Sequence, residues 1–139
     1  MRVSIATRKD LIAVYSDDCD VNVVERIRDK ELLGKRFYGL MYAIRRAVAL
    51  TKGVLESLRE DEIVAFEVSN NTFVQWIQRE CSNKDYEEYF NELLEELNTL
   101  PIRYTFVYAK VPTAMKFLVE AEDTQSSVEL SGMEEFLNA

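Results

Sequence analysis

The densest set of hard donors in the chain is the run Asp17-Asp18-Cys19-Asp20. Grouped carboxylate oxygens are what Mg²⁺ and similar cations take. Glu67, an acid inside the apolar run Ile63-Val64-Ala65-Phe66-Glu67-Val68, is the other candidate. Asp17, Asp18, Asp20 and Glu67 together would make a carboxylate centre able to activate water, the chemistry of a metal-dependent nuclease. The structural alternatives are plain. Asp is common in hairpin turns, and the glycine and distal Glu of a calcium loop are missing here. A Glu in an apolar strand most often points to a sheet edge or pairs with an Arg.

Other chemistry is excluded by residue type. The chain has 139 residues and no His, which removes His-based triads, imidazole proton transfer and His-ligated metals. Four scattered glycines form no phosphate-cradling loop. Cys19 and Cys81 stand far apart and fit no CxxC spacing, so they read as lone thiols of a reducing compartment. No cofactor is expected, save Mg²⁺ if the carboxylate centre exists. Arg8-Lys9-Asp10 interrupts any N-terminal signal core, and no apolar run reaches the roughly 20 residues of a membrane span. The expected setting is cytoplasmic, with no membrane partner.

Binding surfaces are better marked. The net charge of −8 argues against loose contact with nucleic acid, but it is unevenly spread. Residues 26–52 hold 8 basic and 2 acidic side chains, net +6, whereas residues 53–139 hold 6 basic and 18 acidic, net −12. Within the basic segment, Tyr38, Tyr42, Arg45 and Arg46 fall on one side of a helix, with Arg36 just before them. Aromatic rings beside guanidinium groups suit bases and phosphates, or a protein interface. The bland reading is Tyr packed on the domain and Arg in water. The Glu-rich stretch 85–100 could imitate nucleic acid toward a basic protein through Glu88 and Glu92, or serve as a solvated face. At the C-terminus, Leu130, Met133, Phe136 and Leu137 put apolar side chains on one side of a helical turn.

The elements that must carry these residues follow from periodicity. Val3-Ile5, Leu11-Ile12-Ala13-Val14-Tyr15 and Val21-Val23-Val24-Ile27 read as an antiparallel three-strand meander. From Glu31 to Leu58 the apolar residues Leu33, Phe37, Leu40, Met41, Ile44, Ala47 and Val48 recur at helical spacing, with Gly53 as an end or a kink. Ile63–Val68 is apolar enough for a strand covered on both faces. Asn70-Asn71 offers an N-cap for a short helix through Ile77. Ser82 and Asp85 stand at capping-box spacing before an amphipathic helix over Tyr86–Leu100. Arg103–Val111 is β-prone, and Pro112-Thr113 opens a last helix to about Glu122. The order is β-β-β-α-β-α-α-β-α, a domain over 1–123 followed by a linker and hydrophobic-acidic tail over 124–139.

That order resembles the ribonuclease H-like fold, an α/β architecture with a mixed five-stranded sheet and helices on its faces. Phe66–Val74 is similar to the family's fourth strand and next helix, with Asn70-Asn71 where the family has an Asp. Ala114–Ala121 is similar to its last helix, with Met115 in place of an Asp. The long helix from Glu31 has Tyr38, Gly39 or Leu40 at the position of a catalytic Glu, and Thr7-Arg8 stands where strand one has Asp-Gly. The resemblance therefore implies the scaffold without the metal-clamping acids of the activity. The tail resembles the hydrophobic part of sliding-clamp-binding peptides, without their upstream Gln. Together these imply a non-catalytic accessory or adaptor subunit of a nucleic-acid-processing, replication-type complex. A polymerase or sliding clamp would be its partner, and nucleic acid would be contacted through the basic helix. The alternatives are the carboxylate nuclease and the acidic mimic.

Overall fold

A computed structural model describes residues 1–18, 21–29, 37–59 and 61–121. The chain is α/β, with a five-stranded mixed sheet. The strands are β1 (Arg2–Arg8), β2 (Leu11–Ser16), β3 (Val21–Arg26), β4 (Ile63–Val68) and β5 (Arg103–Tyr108), in spatial order β3-β2-β1-β4-β5. β1, β2 and β3 form the expected antiparallel meander, with Ala6 opposite Ala13 and Ala13 opposite Val24. β4 joins β1 in parallel, Ser4 beside Glu67, and β5 joins β4 in parallel, Phe66 beside Phe106. Parallel neighbours need long crossovers. The helices supply them: α1 (Tyr38–Gly53), α2 (Asn71–Arg79) and α3 (Glu87–Asn98), while residues 115–121 form a fourth helix, α4.

Alternation along the strands divides the side chains between two unequal faces. Val3, Ile5, Ile12, Val14, Val64, Phe66, Val68 and Phe106 point to one side, where α1, α2 and α3 cover them. Its densest part is aromatic. Phe73 is fully buried, with ring centroids 5.7 Å from Phe106 and 6.1 Å from Phe90. The opposite side carries Ala6, Leu11 and Ala13, covered by Ala114, just before α4, and by Leu118 in its middle. Small residues there let α4 lie close to the strands. Its cover does not extend to the start of β4 or to the far strand, where Ile63 is 48% and Val107 37% exposed. The expectation that β4 is covered on both faces is therefore corrected. β4 lies between two strands, but Ile63 faces the side that α4 leaves open.

Local signals explain most ends. Asn70 caps α2 by accepting the Phe73 N–H at 2.9 Å. α2 ends on Glu80 in the left-handed region, φ 55°, where the Cys81 N–H returns to the Trp76 carbonyl. Gly53 is the last residue of α1, and a single 3₁₀ turn, Leu55–Ser57, follows. The start expected at Glu31 lies outside the described residues. The capping box expected at Ser82 and Asp85 does not form. The Ser82 hydroxyl donates to the Asn83 carbonyl, and the Asn83 side chain accepts the Asp85 N–H at 3.3 Å, capping a 3₁₀ turn over Lys84–Tyr86. β3 ends at Arg26, one residue short of Ile27, whose N–H donates to the Asp10 carbonyl. β5 ends at Tyr108, three residues before the expected Val111.

Phe73→Ala should show how far the aromatic cluster carries the domain. Loss of its buried ring should lower unfolding stability by about 3–5 kcal/mol with little change in the slope of a urea transition. A loss below about 1 kcal/mol would mean that the ring is not in the core.

Candidate functional site

Ser4 on β1 and Glu67 on β4 face the α4 side of the sheet, next to each other across the parallel pair. Both are buried, Ser4 at 2% and Glu67 at 6% exposure. Isolated, either would be costly there. They are held in one closed network instead. The Ser4 hydroxyl donates to Glu67 Oε1 at 3.0 Å, and the Thr113 N–H donates to the same oxygen at 2.8 Å. The Ala114 N–H donates to Ser4 Oγ at 2.8 Å. Arg2 stands 3.6 Å from Glu67 Oε2, its side chain 64% exposed. The N–H groups at the start of α4, which have no intrahelical acceptors, thus find them on the sheet.

A concavity of about 260 Å³ opens beside this network, lined by Arg2, Ser4, Tyr15, Ser16, Asp17, Asp18 and Thr113. Its acids are engaged. Asp18 accepts the Arg2 N–H at 2.7 Å, and Asp17 accepts the Tyr15 hydroxyl. Ser16 donates to the Arg2 carbonyl at 2.6 Å. Asp20 lies outside the described residues. Among the described residues, no three His, Cys, Asp or Glu side chains converge as a metal would need. Chemically, the site can fix a helix to a sheet and place an Arg at the rim of a small polar hollow.

The other positions singled out from the sequence are dispersed. Thr7 is opposite Ile12 in the β1–β2 pair, and Asn70 is engaged as the α2 cap. Met115 packs on the α4 side of the sheet, whereas Tyr38 packs on the side of α1–α3. The Tyr-Arg stripe divides along the two flanks of α1. Tyr38 lies 5.2 Å from Tyr86 and 5.3 Å from Tyr89, centroid to centroid. Arg45 is bound by α3, with Nε at 3.0 Å from Glu96 Oε1 and Nη1 at 3.5 Å from Glu92. Its guanidinium carbon is 5.1 Å from the Tyr89 ring centroid. The Glu96 hydrogen bond holds the Arg45 pKa well above the ordinary guanidinium value. On the other flank, Arg46 pairs with Glu25 at 2.7 Å. Tyr42 lines a shallow hollow of about 500 Å³ with Glu25, Arg26, Ile27, Arg28 and Asp29. Glu92 and Glu96 of the acidic helix thus face Arg45, while Glu87, Glu88 and Glu95 are exposed. Arg36 and the tail residues Leu130, Met133, Phe136 and Leu137 lie outside the described residues.

Sequence reasoning found Glu67 but missed Ser4 and Thr113. The signal was present: Ser4 interrupts Val3 and Ile5 in a strand that pairs on both edges, and a polar residue there needs a partner. No protein-family model, no curated protein and no solved structure matches this chain.

Two outcomes follow from this geometry. Glu67→Ala removes the acceptor of both Ser4 and Thr113 and should cost about 2–4 kcal/mol of stability, at roughly 1–3 kcal/mol per orphaned group. Ser4→Ala and Glu67→Ala should be non-additive by at least about 0.5 kcal/mol in a double-mutant cycle; simple additivity would show that the two act separately. Burial raises the Tyr89 phenol above its ordinary range, although Arg45 pulls it down, and burial likewise raises Tyr104. A raised phenol favours the folded state fully below the free tyrosine value near 10 and loses that advantage as pH climbs through the folded value. Tyr89→Phe should therefore remove one late-titrating phenol from the absorbance titration and flatten the fall in stability above about pH 10. Loss of a phenol that titrates in the ordinary tyrosine range, with the late one retained, would place Tyr89 in water.

Proposed function

We propose that this chain is a non-catalytic accessory subunit on a ribonuclease H-like scaffold. It acts as an adaptor for a protein partner in a nucleic-acid-processing, replication-type complex of the cytoplasm. The observation that carries the reading is the closure of the Glu67 network. The one acid on β4 accepts the Ser4 hydroxyl and the Thr113 N–H on Oε1, with Arg2 3.6 Å from Oε2, and both hydrogen bonds tie the start of α4 to the sheet. Support also comes from the positions where the resembling family clamps its metals. Here they carry Thr7, Asn70, Met115 and Tyr38, none of which can act as an anionic ligand.

Contact with a partner is then assigned to surfaces. Leu130, Met133, Phe136 and Leu137 form the apolar part of the tail and suit a hydrophobic groove such as a sliding clamp or polymerase offers to a peptide. Tyr42 and its neighbour Arg28, at the edge of the basic segment, are the part of that segment assigned to a second contact, since Arg26 beside them pairs with Asp10. Arg45 is held by α3, so this surface rests less on the full stripe than its spacing suggests.

A nuclease assay with Mg²⁺ and Mn²⁺ on hybrid, single-stranded and duplex substrates tests the catalytic half of the reading, with no cleavage expected. Robust metal-dependent cleavage, abolished by Asp17→Asn with Asp18→Asn or by Glu67→Gln in a folded protein, would overturn it. Deleting residues 128–139 should leave the melting temperature nearly unchanged and remove one partner from a native-host pull-down. A large loss of stability would place the tail in the core.

A further inference from the structure

β5 closes one end of the sheet, bound on one side to β4. The parallel ladder, extended by the Ala109 N–H donating to the Val68 carbonyl at 2.9 Å, fixes which groups face inward. The odd-numbered residues turn their backbone groups toward β4. Tyr104, Phe106 and Tyr108 turn theirs away from the sheet. Among the described residues, no hydrogen bond reaches those outward groups. Exposed apolar side chains gather at the same place. Val107 and Tyr108 lie on β5, Ile63 pairs with its first residue, and Val111 follows its end at 71% exposure.

Sheet edges are ordinarily blunted by charge, proline or a bulge. The β3 end of this sheet has Glu25 and Arg26, paired to Arg46 and Asp10. β5 reads Arg-Tyr-Thr-Phe-Val-Tyr, with its one charge at the first position. We propose that β5 pairs antiparallel with β5 of a second copy of this chain, about a two-fold axis at Phe106, so that one sheet continues through both molecules.

The register follows from the strand itself. Opposed residues of an antiparallel pair share a face, so even-numbered residues meet even-numbered ones. With Phe106 on the axis, Tyr104 lies opposite Tyr108 of the second copy, and every outward N–H and C=O of Tyr104, Phe106 and Tyr108 is paired. An axis at Thr105 would leave the groups of Tyr108 outside the ladder. On the other face, Thr105 meets Val107 of the second copy, joining two exposed side chains, and no like charges are opposed. The ends also match in charge. Glu80, exposed and near enough to Tyr104 to act on its phenol, sits at the start of β5, where the second copy brings its exposed Lys110. Residues 122–139 are a poorer occupant, because they contain no stretch as long as β5 without an acid or a glycine. A single-strand contact is small beside the interfaces of permanent dimers, so association on the order of micromolar is expected.

Sedimentation equilibrium of the full chain over a concentration series tests this, and it stands or falls apart from the adaptor reading. A concentration-dependent dimer is expected. Thr105→Lys with Val107→Lys sets lysines opposite each other twice and should weaken the dimer at least roughly tenfold. Thr105→Lys with Val107→Glu sets opposite charges across the same pairs and should keep it. Both positions are exposed, and circular dichroism with a melting curve verifies the fold. A monomer up to submillimolar concentration overturns the proposal. So does equal dimerisation of both variants, or loss of the dimer in both. A full chain that is monomeric but dimerises once residues 122–139 are deleted would show that the tail takes the edge, which also overturns it.

Discussion

Placing Ser4 beside Glu67 sets two polar side chains in the middle of a sheet beneath the start of a helix, where neither could stay without the other. The parallel β1–β4 pair brings them side by side. In return they supply acceptors for the Thr113 and Ala114 N–H groups. A neutral hydrogen bond is worth about 1 kcal/mol net, and one to a charged group about 1.5–3 kcal/mol, so the network's larger value lies in direction. Apolar contact alone, between Leu118 and small residues such as Ala6 and Ala13, would let α4 slide or rotate. The Glu67–Thr113 bond fixes where the helix begins. Arg2 at the rim offsets part of the buried charge while remaining mostly in water. Oε1 takes both hydrogen bonds, and Oε2 faces Arg2 at the rim.

The charge distribution changes meaning once the helices are placed. Along the sequence, a basic segment is set against an acidic remainder. In space, the two meet. Arg45 of α1 reaches Glu92 and Glu96 of α3, and Arg46 reaches Glu25 of β3. Most of these side chains are partly exposed, so each pair is worth no more than about 1 kcal/mol and weakens with salt. Cations facing carboxylates are poor phosphate ligands, so Arg45 and Arg46 are less available to a polyanion than their spacing suggests. The exposed acids Glu87, Glu88 and Glu95 remain on the far side of α3.

The elements were largely legible because they rest on periodicity. The meander, β4, the Asn70 cap and the amphipathic α3 each carry a repeated pattern that survives without tertiary information. The site was less legible because it rests on register. Nothing local to Val3-Ser4-Ile5 says that Ser4 will meet a residue 63 positions away. The same holds for Tyr38, Tyr42, Arg45 and Arg46: helical spacing puts them on one side of α1, but β3 and α3 decide which of them meets a partner. The capping box at Ser82 failed for a related reason. Asn83, one residue on, offers an equally good acceptor, and the chain enters a 3₁₀ turn before α3.

The two faces of the sheet are covered unequally. Three helices bury one face, and a concavity of about 680 Å³ lined by Leu97, Leu100, Ile102 and Tyr104 opens at its margin. Among the described residues, the other face has one short helix, α4, over β1 and β2, with the Ser4–Glu67 network under its first turn. Isolated exposed apolar residues are normal on protein surfaces and imply nothing singly. Ile63 and Val107 are not isolated: they lie on the α4 side of neighbouring strands, with Ala65, Arg103 and Thr105 around them. Among the described residues the one buried acid anchors a helix, and Ile63, Val107, Tyr108 and Val111 expose apolar side chains on and around β5.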